Sequence, residues 1–237
     1  MQSPAQPIVS REEWLAARTR LLEDEKAFTR ARDALSARRR ALPWVRVEKD
    51  YRFRTPDGEK TLGDLFGPHS QLIVSHFMFG PDWEQGCPSC SFWADGYNGL
   101  EVHMAHRDAG FVAVSNTAPE KIGAYRQRMG WSFPWVSSLG SEFNRDFQVS
   151  FTEADKVDGE VYYNYARRRF PASEAPGISV FYKPEPGTVV HTYSTYARGL
   201  DMLNAAYHLM DLLPKGRDED GLDFTMAWLR RRDEYAD

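Results

Sequence analysis

The spacing of apolar residues in the first part of the chain predicts one long helix. Ser10 and Glu13 form the S-x-x-E pattern of a capping box, which marks a helix start. Apolar side chains then recur at every seventh position, at Trp14, Leu21, Phe28 and Leu35. Pro43 predicts the end of this helix at about Ala41. We therefore expect residues 1–43 to form an arm and a helix that packs on the core through its apolar stripe.

A near-continuous apolar run, residues 72–79, predicts a strand buried on both faces of a sheet. Other apolar segments predict strands at 111–115, 133–137, 178–182 and 188–196, the last two as a hairpin. Helical patterns occupy 93–107, 119–129, 199–213 and 224–235. Strands that alternate with helices and end in a hairpin indicate an α/β fold, a mixed central sheet with helices on both faces in a three-layer sandwich.

The same pattern divides the chain into a central domain and two additions beyond the N-terminal helix. Residues 44–213 contain all the predicted strands. Within them, the polar and Tyr-rich stretch 146–175 fits no strand or helix pattern and is interpreted as an insertion. Residues 214–237 follow the stop signal of Pro214 and are expected to form a C-terminal extension.

Composition and charge exclude several classes of function. The chain has 237 residues and is 42% hydrophobic, which is enough for a sizeable core. Its net charge of −4 does not indicate a nucleic-acid groove or a membrane-binding surface. No apolar segment reaches the ~18 residues that span a bilayer, and the N-terminus lacks the pattern of a secretion signal. Two closely spaced cysteines do not resemble a secreted disulfide framework. We therefore expect a cytoplasmic protein that needs no cofactor.

The chain's only two cysteines lie in the sequence Cys87-Pro88-Ser89-Cys90, directly after the buried strand and its loop. A C-x-x-C at the start of a helix is the thioredoxin-type redox arrangement, because the helix N-terminus stabilises the thiolate of the first cysteine. The second cysteine, one turn further along, can then attack a mixed disulfide. This pattern predicts Cys87 as the nucleophile and Cys90 as the resolving residue. Asp82 and Glu84 lie just upstream, and carboxylates at that distance are expected to raise a thiol pKa.

A zinc site is an alternative use of the same cysteines. Cys87, Cys90, His103 and His106 follow a C-x2-C-x12-H-x2-H pattern. However, a single helix carrying both Cys90 and His103 would hold them about 20 Å apart at ~1.5 Å per residue. Such a site would need the helix to break between Gly96 and Gly99, and we expect no metal.

Two further residues are candidates for the same site. His76, the one titratable group in the apolar run, could take up protons beneath the cysteines, or simply be a satisfied core residue. Pro176 precedes the first strand of the hairpin. In thioredoxin-like folds a cis-proline at this place faces the active cysteines and positions the substrate. An ordinary trans-proline that starts a strand is the other interpretation.

Three long stretches resemble a bacterial family of thioredoxin-like proteins that are regarded as predicted dithiol–disulfide oxidoreductases. They are FRTPDGEKTLGDLFG, LIVSHFMFGPDWEQGCPSCSFWADG and RGLDMLNAAYHLMDLLPKGRDEDG. The resemblance implies a thioredoxin-like fold and, by analogy, redox activity at Cys87 and Cys90. The peroxiredoxin pattern P-x-x-x-[TS]-x-x-C is absent, since Gly80 and Glu84 occupy its Pro and Thr/Ser positions.

The residues and the resemblance together favour a thiol–disulfide oxidoreductase that exchanges a Cys87–Cys90 disulfide with a protein or a small-molecule thiol. A non-catalytic thioredoxin-like binding module is the main alternative, and a peroxidase or a zinc site is less favoured. The substrate, the electron donor and the oligomeric state stay open at this point.

Overall fold

The structure is a computed structural model, and it describes residues 6–235. Its α-helices are α1 (Arg11–Arg40), α2 (Pro88–Asp95), α3 (Glu101–Ala105), α4 (Pro119–Met129), α5 (Phe143–Asp146) and α6 (Ala205–Met210). Its strands are β1 (Val45–Arg46), β2 (Arg52–Thr55), β3 (Gly58–Thr61), β4 (Gln71–His76), β5 (Ala109–Ser115), β6 (Trp135–Ser137), β7 (Val161–Tyr163), β8 (Ala166–Arg168), β9 (Gly177–Glu185) and β10 (Thr188–Tyr196). Short 3₁₀ helices occupy Asp64–Phe66, Glu153–Asp155 and Ala197–Leu203.

An eight-stranded mixed sheet with the order β1-β10-β9-β4-β5-β6-β2-β3 forms the centre of the molecule. The apolar strand β4 lies between β5, which runs parallel to it, and β9, which runs antiparallel. The helix α2 connects β4 towards β5, α4 connects β5 to β6, and the antiparallel pair β9–β10 leads into α6. This connectivity is the thioredoxin-like fold, and it confirms the predicted fold class.

Two apolar cores cover the two faces of the sheet. One packs α2 and α4 against the sheet and includes Cys90, Ile122, Met129 and Trp135. The other packs α5 and the 3₁₀ helix Asp64–Phe66 against the opposite side of the same strands. Leu72 and Val74 of β4 belong to the second core, whereas Phe77 and Phe79, just beyond the end of the strand, belong to the first, because alternate side chains of an extended chain point to opposite faces. This placement holds the end of β4, and the loop that follows it, between two packed layers.

The segment 146–175, which the sequence analysis interprets as an insertion, contributes no strand to the eight-stranded sheet. It contains the two-stranded sheet β7–β8. It also builds a small apolar cluster, in which Phe151 and Tyr163 pack near Tyr196 at the end of β10. The hydroxyl of Tyr163 donates to the carbonyl of Pro176 at 2.8 Å. The insertion therefore supports the chain just before β9.

The helix α1 does not pack on the core as expected. The capping box of Ser10 and Glu13 is present, and the helix ends at Arg40, but none of its residues is buried. Contact with the sheet is made near its last turn, where the Arg39 guanidinium lies 5.6 Å from the ring centre of Tyr193. The helix leaves the body of the protein at that point, and its apolar stripe stays exposed.

The helices predicted after β10 and at the C-terminus also differ from the structure. The predicted helix 199–213 is a 3₁₀ helix followed by the short α6, which ends at Met210. Residues 224–235 form turns and no helix. Their polar groups are satisfied by the body of the protein: Arg231, for example, donates to the carbonyl of Gly86 at 2.7 Å. Side-chain contacts with residues distant in sequence therefore hold this segment in place without a helical hydrogen-bond ladder.

No helix in residues 6–235 is long and apolar enough to cross a membrane.

Candidate active site

Cys87 is the N-cap residue of α2, and it follows the loop that connects β4 to this helix. Its backbone N–H donates to the carbonyl of Met78 at 3.0 Å, which ties the loop back to the end of the strand. Pro88 occupies the first turn of α2 and lacks the N–H that would be left unpaired there. The local sequence therefore places one thiol at the positive end of the helix dipole.

The Cys87 thiol has the properties of a nucleophile. It is partly exposed, and it is reduced, as is Cys90. A hydrogen bond from the Cys90 thiol lowers the pKa of Cys87 to about 7, assisted by the backbone N–H groups of Cys90 and Ser89. The expectation that Asp82 and Glu84 would raise this pKa is wrong, because both carboxylates are exposed to solvent while the hydrogen bonds act directly on the sulfur.

Cys90 is the buried member of the pair. Its side chain packs in the core beneath α2, and the backbone N–H of Met78 donates to its Sγ at 3.4 Å. The hydrogen bond to Cys87 and burial both raise the pKa of Cys90 above its ordinary value. Cys90 therefore keeps its proton and donates it towards Cys87, so the two thiols have opposite roles in one site.

A hydrogen-bonded network from distant segments holds the loop before Cys87. The Ser91 hydroxyl lies 2.8 Å from the carbonyl of Cys87 and 2.8 Å from the hydroxyl of Tyr125. The Arg231 guanidinium donates to that same Tyr125 hydroxyl at 3.0 Å and to the carbonyl of Gly86 at 2.7 Å. Sequence reasoning missed Arg231, because the charged C-terminal segment shows no motif that connects it to the cysteines.

Only glycine fits at position 86 in this network. A Cβ atom there would lie 2.7 Å from the ring of Phe77 and 2.8 Å from the ring of Tyr125. Real Cβ atoms do not approach other atoms so closely, and both rings are packed in the core. Gly86 therefore lets the loop pass close to the core immediately before Cys87.

Pro176, His76 and Cys90 line one cavity, whereas Cys87 is not on its wall. The peptide bond before Pro176 is trans, like every other peptide bond of the described residues, so the cis alternative is wrong. A role for Pro176 in positioning substrate stays a prediction.

His76 is a neutral core residue. It is 2% exposed, and its Nε2 atom lies 2.8 Å from the hydroxyl of Ser179. Burial, with a smaller contribution from the neighbouring His191, lowers the pKa of His76 to about 3. The Nδ1 atom of His76 is buried and has no hydrogen-bond partner in residues 6–235. An auxiliary role for His76 would therefore be that of a neutral acceptor or donor, and it also stays a prediction.

The four zinc-ligand candidates do not form a site. In the described part of the chain, no group of three His, Cys, Asp or Glu side chains converges as metal ligands would. The helix does break after Asp95, but His103 then lies in the separate helix α3 and is exposed.

Solved structures with a similar chain path include two from bacterial peroxiredoxin families. Peroxiredoxin Q of Xanthomonas campestris is 19% identical, with a TM-score of 0.43 over 65% of this chain and 87% of that one. Peroxidoxin BcpB of Mycobacterium tuberculosis is 12% identical, with a TM-score of 0.46 over 69% of this chain and 94% of that one. Similarity at this level concerns the path of the chain and does not extend to the reaction.

No curated protein matches the chain significantly. A family model described as "Bacterial protein of unknown function (DUF899)" matches residues 3–235, which is nearly the whole chain. The chain belongs to this family.

Proposed function

We propose that this member of the DUF899 family is a thiol–disulfide oxidoreductase whose Cys87–Cys90 pair cycles between dithiol and disulfide. The observation that carries the proposal is the contrast between the two thiols. Cys87 is partly exposed at a helix N-terminus and has a lowered pKa, whereas Cys90 is buried, has a raised pKa and is hydrogen-bonded to Cys87. Two reduced cysteines with a purely structural role would not require such a difference in exposure and pKa.

The reaction follows from these roles. The Cys87 thiolate attacks one sulfur of a disulfide substrate, forms a mixed disulfide and releases the first product as a thiolate. Cys90 then gives up its proton and attacks the sulfur of Cys87, which releases the second product thiol and leaves a Cys87–Cys90 disulfide. The protein loses two electrons and the Cys90 proton, which leaves with the second product thiol, and the first product thiolate takes up its proton from water. Two equivalents of a monothiol such as glutathione can restore the dithiol and become oxidised in turn.

The position of Pro176 supports this proposal. It lies on the wall of the cavity that Cys90 also lines, so it is near the point where a bound substrate would meet the pair. We also propose that the protein works in a reducing compartment such as the cytoplasm. The use of just two cysteines, in one closely spaced pair, supports that location.

A redox titration tests the proposed function directly. We expect the purified protein, equilibrated in graded glutathione buffers, to form the Cys87–Cys90 disulfide reversibly, with a midpoint between roughly −120 and −270 mV. Mass spectrometry of alkylated protein would separate the dithiol form, which carries two alkyl groups, from the disulfide form, which carries none. The Cys90→Ser variant is the control, since it can form mixed disulfides only. Failure to form the intramolecular disulfide at any ratio of oxidised to reduced glutathione would rule out dithiol chemistry and favour a non-catalytic binding module.

A further inference from the structure

The cavity that Cys90 lines has a volume of ≈ 290 Å³ and largely apolar walls. Those walls include Phe77, Met78, Trp93, Pro176, Leu200 and Met226. An engineered cavity of about 150 Å³ holds one benzene molecule, so this one has room for a group of about ten carbon atoms. It is therefore the size of a small-molecule pocket at the lower end of the usual range.

The charged residues on the cavity wall are already paired with one another or with neighbours. The Arg217 guanidinium lies 2.8 Å from a carboxylate oxygen of Asp211 and 3.4 Å from one of Asp201. Arg198 pairs with the same Asp201 at 2.8 Å. Arg217 also lies 4.0 Å from the ring centre of Tyr207. A charged ligand would have to break these pairs, whereas an apolar group would not.

The residues that follow β10 form one wall of this cavity. They are additions to the strands and helices of the thioredoxin-like core. The 3₁₀ helix Ala197–Leu203 contributes Leu200, whose carbonyl accepts a hydrogen bond from Trp93 Nε1 at 2.8 Å. Tyr207 of α6 adds to the wall, and its hydroxyl donates to Glu219 at 2.8 Å. The added wall is therefore fixed to both α2 and the C-terminal extension. Such a wall favours a compact ligand over an extended strand of a protein substrate.

From these features we infer that the cavity binds the apolar group of a small organic disulfide, R–S–S–R, which is the substrate class of the Cys87–Cys90 pair. This inference rests on the proposed function. Cys87 is not on the cavity wall, but its thiol is hydrogen-bonded to that of Cys90, which is. An R group in the cavity beside Ser89 and Cys90 would therefore place the substrate sulfur within reach of the Cys87 thiolate. Cys87 takes one R–S group as a mixed disulfide and releases R–S⁻, and Cys90 then displaces the second R–S⁻. The substrate is reduced to two R–SH, and the pair is oxidised to a disulfide.

A series of dialkyl disulfides separates apolar binding from intrinsic reactivity, since their leaving thiols have nearly equal pKa values. We would measure the rate of oxidation of the reduced protein by diethyl and by dibutyl disulfide. Each rate is divided by the rate at which the same disulfide oxidises dithiothreitol. We expect the relative rate constant to rise about tenfold or more from diethyl to dibutyl, because two added CH₂ groups enter an apolar cavity. Met226→Asp, on the cavity wall, should remove most of that rise. The matched control Met202→Asp changes an exposed methionine that is not on the wall and should keep it.

The outcomes distinguish this inference from the proposed function. If glutathione disulfide oxidises the pair but dibutyl disulfide is no faster than diethyl disulfide, the substrate inference is wrong and the proposed function stands. If no disulfide oxidises the pair, both are wrong. Thr225→Trp, which fills the cavity instead of charging it, gives a second test should Met226→Asp fail to fold. Binding without chemistry is measured as the increase in Tm of the Cys87→Ser variant with butylbenzene, and the absence of any increase would also overturn the inference.

The exposed face of α1 supports a second, independent inference. None of the helix residues is buried, and the four large side chains at seven-residue spacing are between 43% and 70% exposed. A seven-residue repeat of large apolar side chains is the pattern of a helix that packs against another helix. The helix has 30 residues and so presents this stripe over about 45 Å. Within residues 6–235 no segment of the chain covers it.

The charges of α1 indicate which helix would cover the stripe. Residues 11–25 contain five acidic and three basic side chains, while residues 26–40 contain six basic and one acidic. A second copy in antiparallel orientation places the acidic half against the basic half. The same orientation pairs Trp14 with Leu35 and Leu21 with Phe28, since both pairs are symmetric about the middle of the stripe. A parallel pair would bring the two basic halves together.

We propose that α1 pairs antiparallel with α1 of a second copy of this chain and forms a homodimer. Sedimentation equilibrium should give about twice the 27.2 kDa chain mass for the wild type. Leu21→Glu combined with Phe28→Glu should give a monomer that keeps its fold and its disulfide exchange. The matched control Thr19→Glu with Ala37→Glu adds the same charges to the opposite side of the helix and should stay dimeric.

Two results would overturn this proposal: a monomeric wild type at 100 μM, or a stripe variant that remains dimeric. Orientation is tested in a Cys87→Ser, Cys90→Ser background. We expect a disulfide between Trp14→Cys in one copy and Leu35→Cys in the other, whereas dimerisation of the Trp14→Cys variant by itself through residue 14 would show a parallel pair.

Discussion

Replacing Cys87 with serine will reduce the rate of disulfide exchange by at least about a hundredfold, whereas Cys90→Ser will accumulate a mixed disulfide on Cys87. A serine hydroxyl is not ionised at neutral pH and cannot take the place of the thiolate. In the Cys90→Ser variant the first attack still occurs, but nothing displaces the bound group. Mass spectrometry after exposure to glutathione disulfide will show one added glutathione on the Cys90→Ser protein and none on Cys87→Ser.

The pH dependence of the same thiol provides a further measure of this prediction. Because the pKa of Cys87 is lowered to about 7, its alkylation by iodoacetamide should reach half its maximal rate near pH 7 in the wild type. The main cause is the hydrogen bond from Cys90, so Cys90→Ala should move that midpoint upward. Full disulfide-reducing activity in Cys87→Ser would contradict the assignment of the nucleophile. A midpoint unaffected by Cys90→Ala would contradict the role of the hydrogen bond.

The buried carboxyl group of Glu174 will lower the unfolding free energy of the wild type, relative to the Glu174→Gln variant, by about 3 kcal/mol as the pH rises from 4 to 8.5. His76, whose lowered pKa acts in the opposite direction, contributes equally to both proteins and cancels in this difference. Glu174 is 2% exposed. Its Oε1 accepts a hydrogen bond from Asn116 at 3.0 Å, and its Oε2 accepts one from Ser150 at 2.5 Å. Burial dominates over these hydrogen bonds and raises the pKa of Glu174 from 4.5 to about 7. No cationic side chain is among its hydrogen-bond partners in residues 6–235.

The sign of the effect follows from proton binding. The folded protein holds the Glu174 proton more tightly than the unfolded chain does, so the stabilisation is fully present below about pH 4.5. It is lost as the pH rises through about 7, where the folded protein must either bury a charge or unfold. At about 1.4 kcal/mol per pH unit, the interval between 4.5 and about 7 corresponds to the 3 kcal/mol expected.

Urea unfolding at a series of pH values will measure this dependence. Glu174→Gln removes the titration and keeps an oxygen for Asn116, while the Ser150 hydroxyl can turn to accept from the amide. We expect this variant to be more stable than the wild type at pH 8.5 and to lose the difference at pH 4. The control Glu59→Gln changes an exposed residue and should keep the wild-type profile. An identical slope in the wild type and Glu174→Gln would show that another group causes the pH dependence.

Much of the fold and the main part of the candidate site were predictable from local patterns in the sequence. The apolar run at 72–79 specifies a buried strand, and Pro88 in the first turn of α2 favours a helix start after Cys87. The sequence Pro56-Asp57-Gly58 is typical of a tight turn, and it lies in the hairpin of β2 and β3. Such patterns act between residues close in sequence, where backbone geometry and side-chain alternation determine the structure.

Features that depend on distant parts of the chain were decided by the tertiary structure. Arg231 lies 145 positions from the Gly86 carbonyl that it binds, and no local signal connects the two. The lowered pKa of Cys87 depends on the hydrogen bond with Cys90, which outweighs the exposed acidic neighbours that the sequence shows. The cavity wall needs residues 197–226 to lie against α2. The sequence did not predict the exposure of α1 either. An apolar stripe has the same sequence whether it packs on the core of its own chain or is left exposed. The sequence by itself therefore determined the core strands β4, β5, β9 and β10, the starts of α1, α2 and α4, and the cysteine pair. Packing between distant segments decided the environment of that pair.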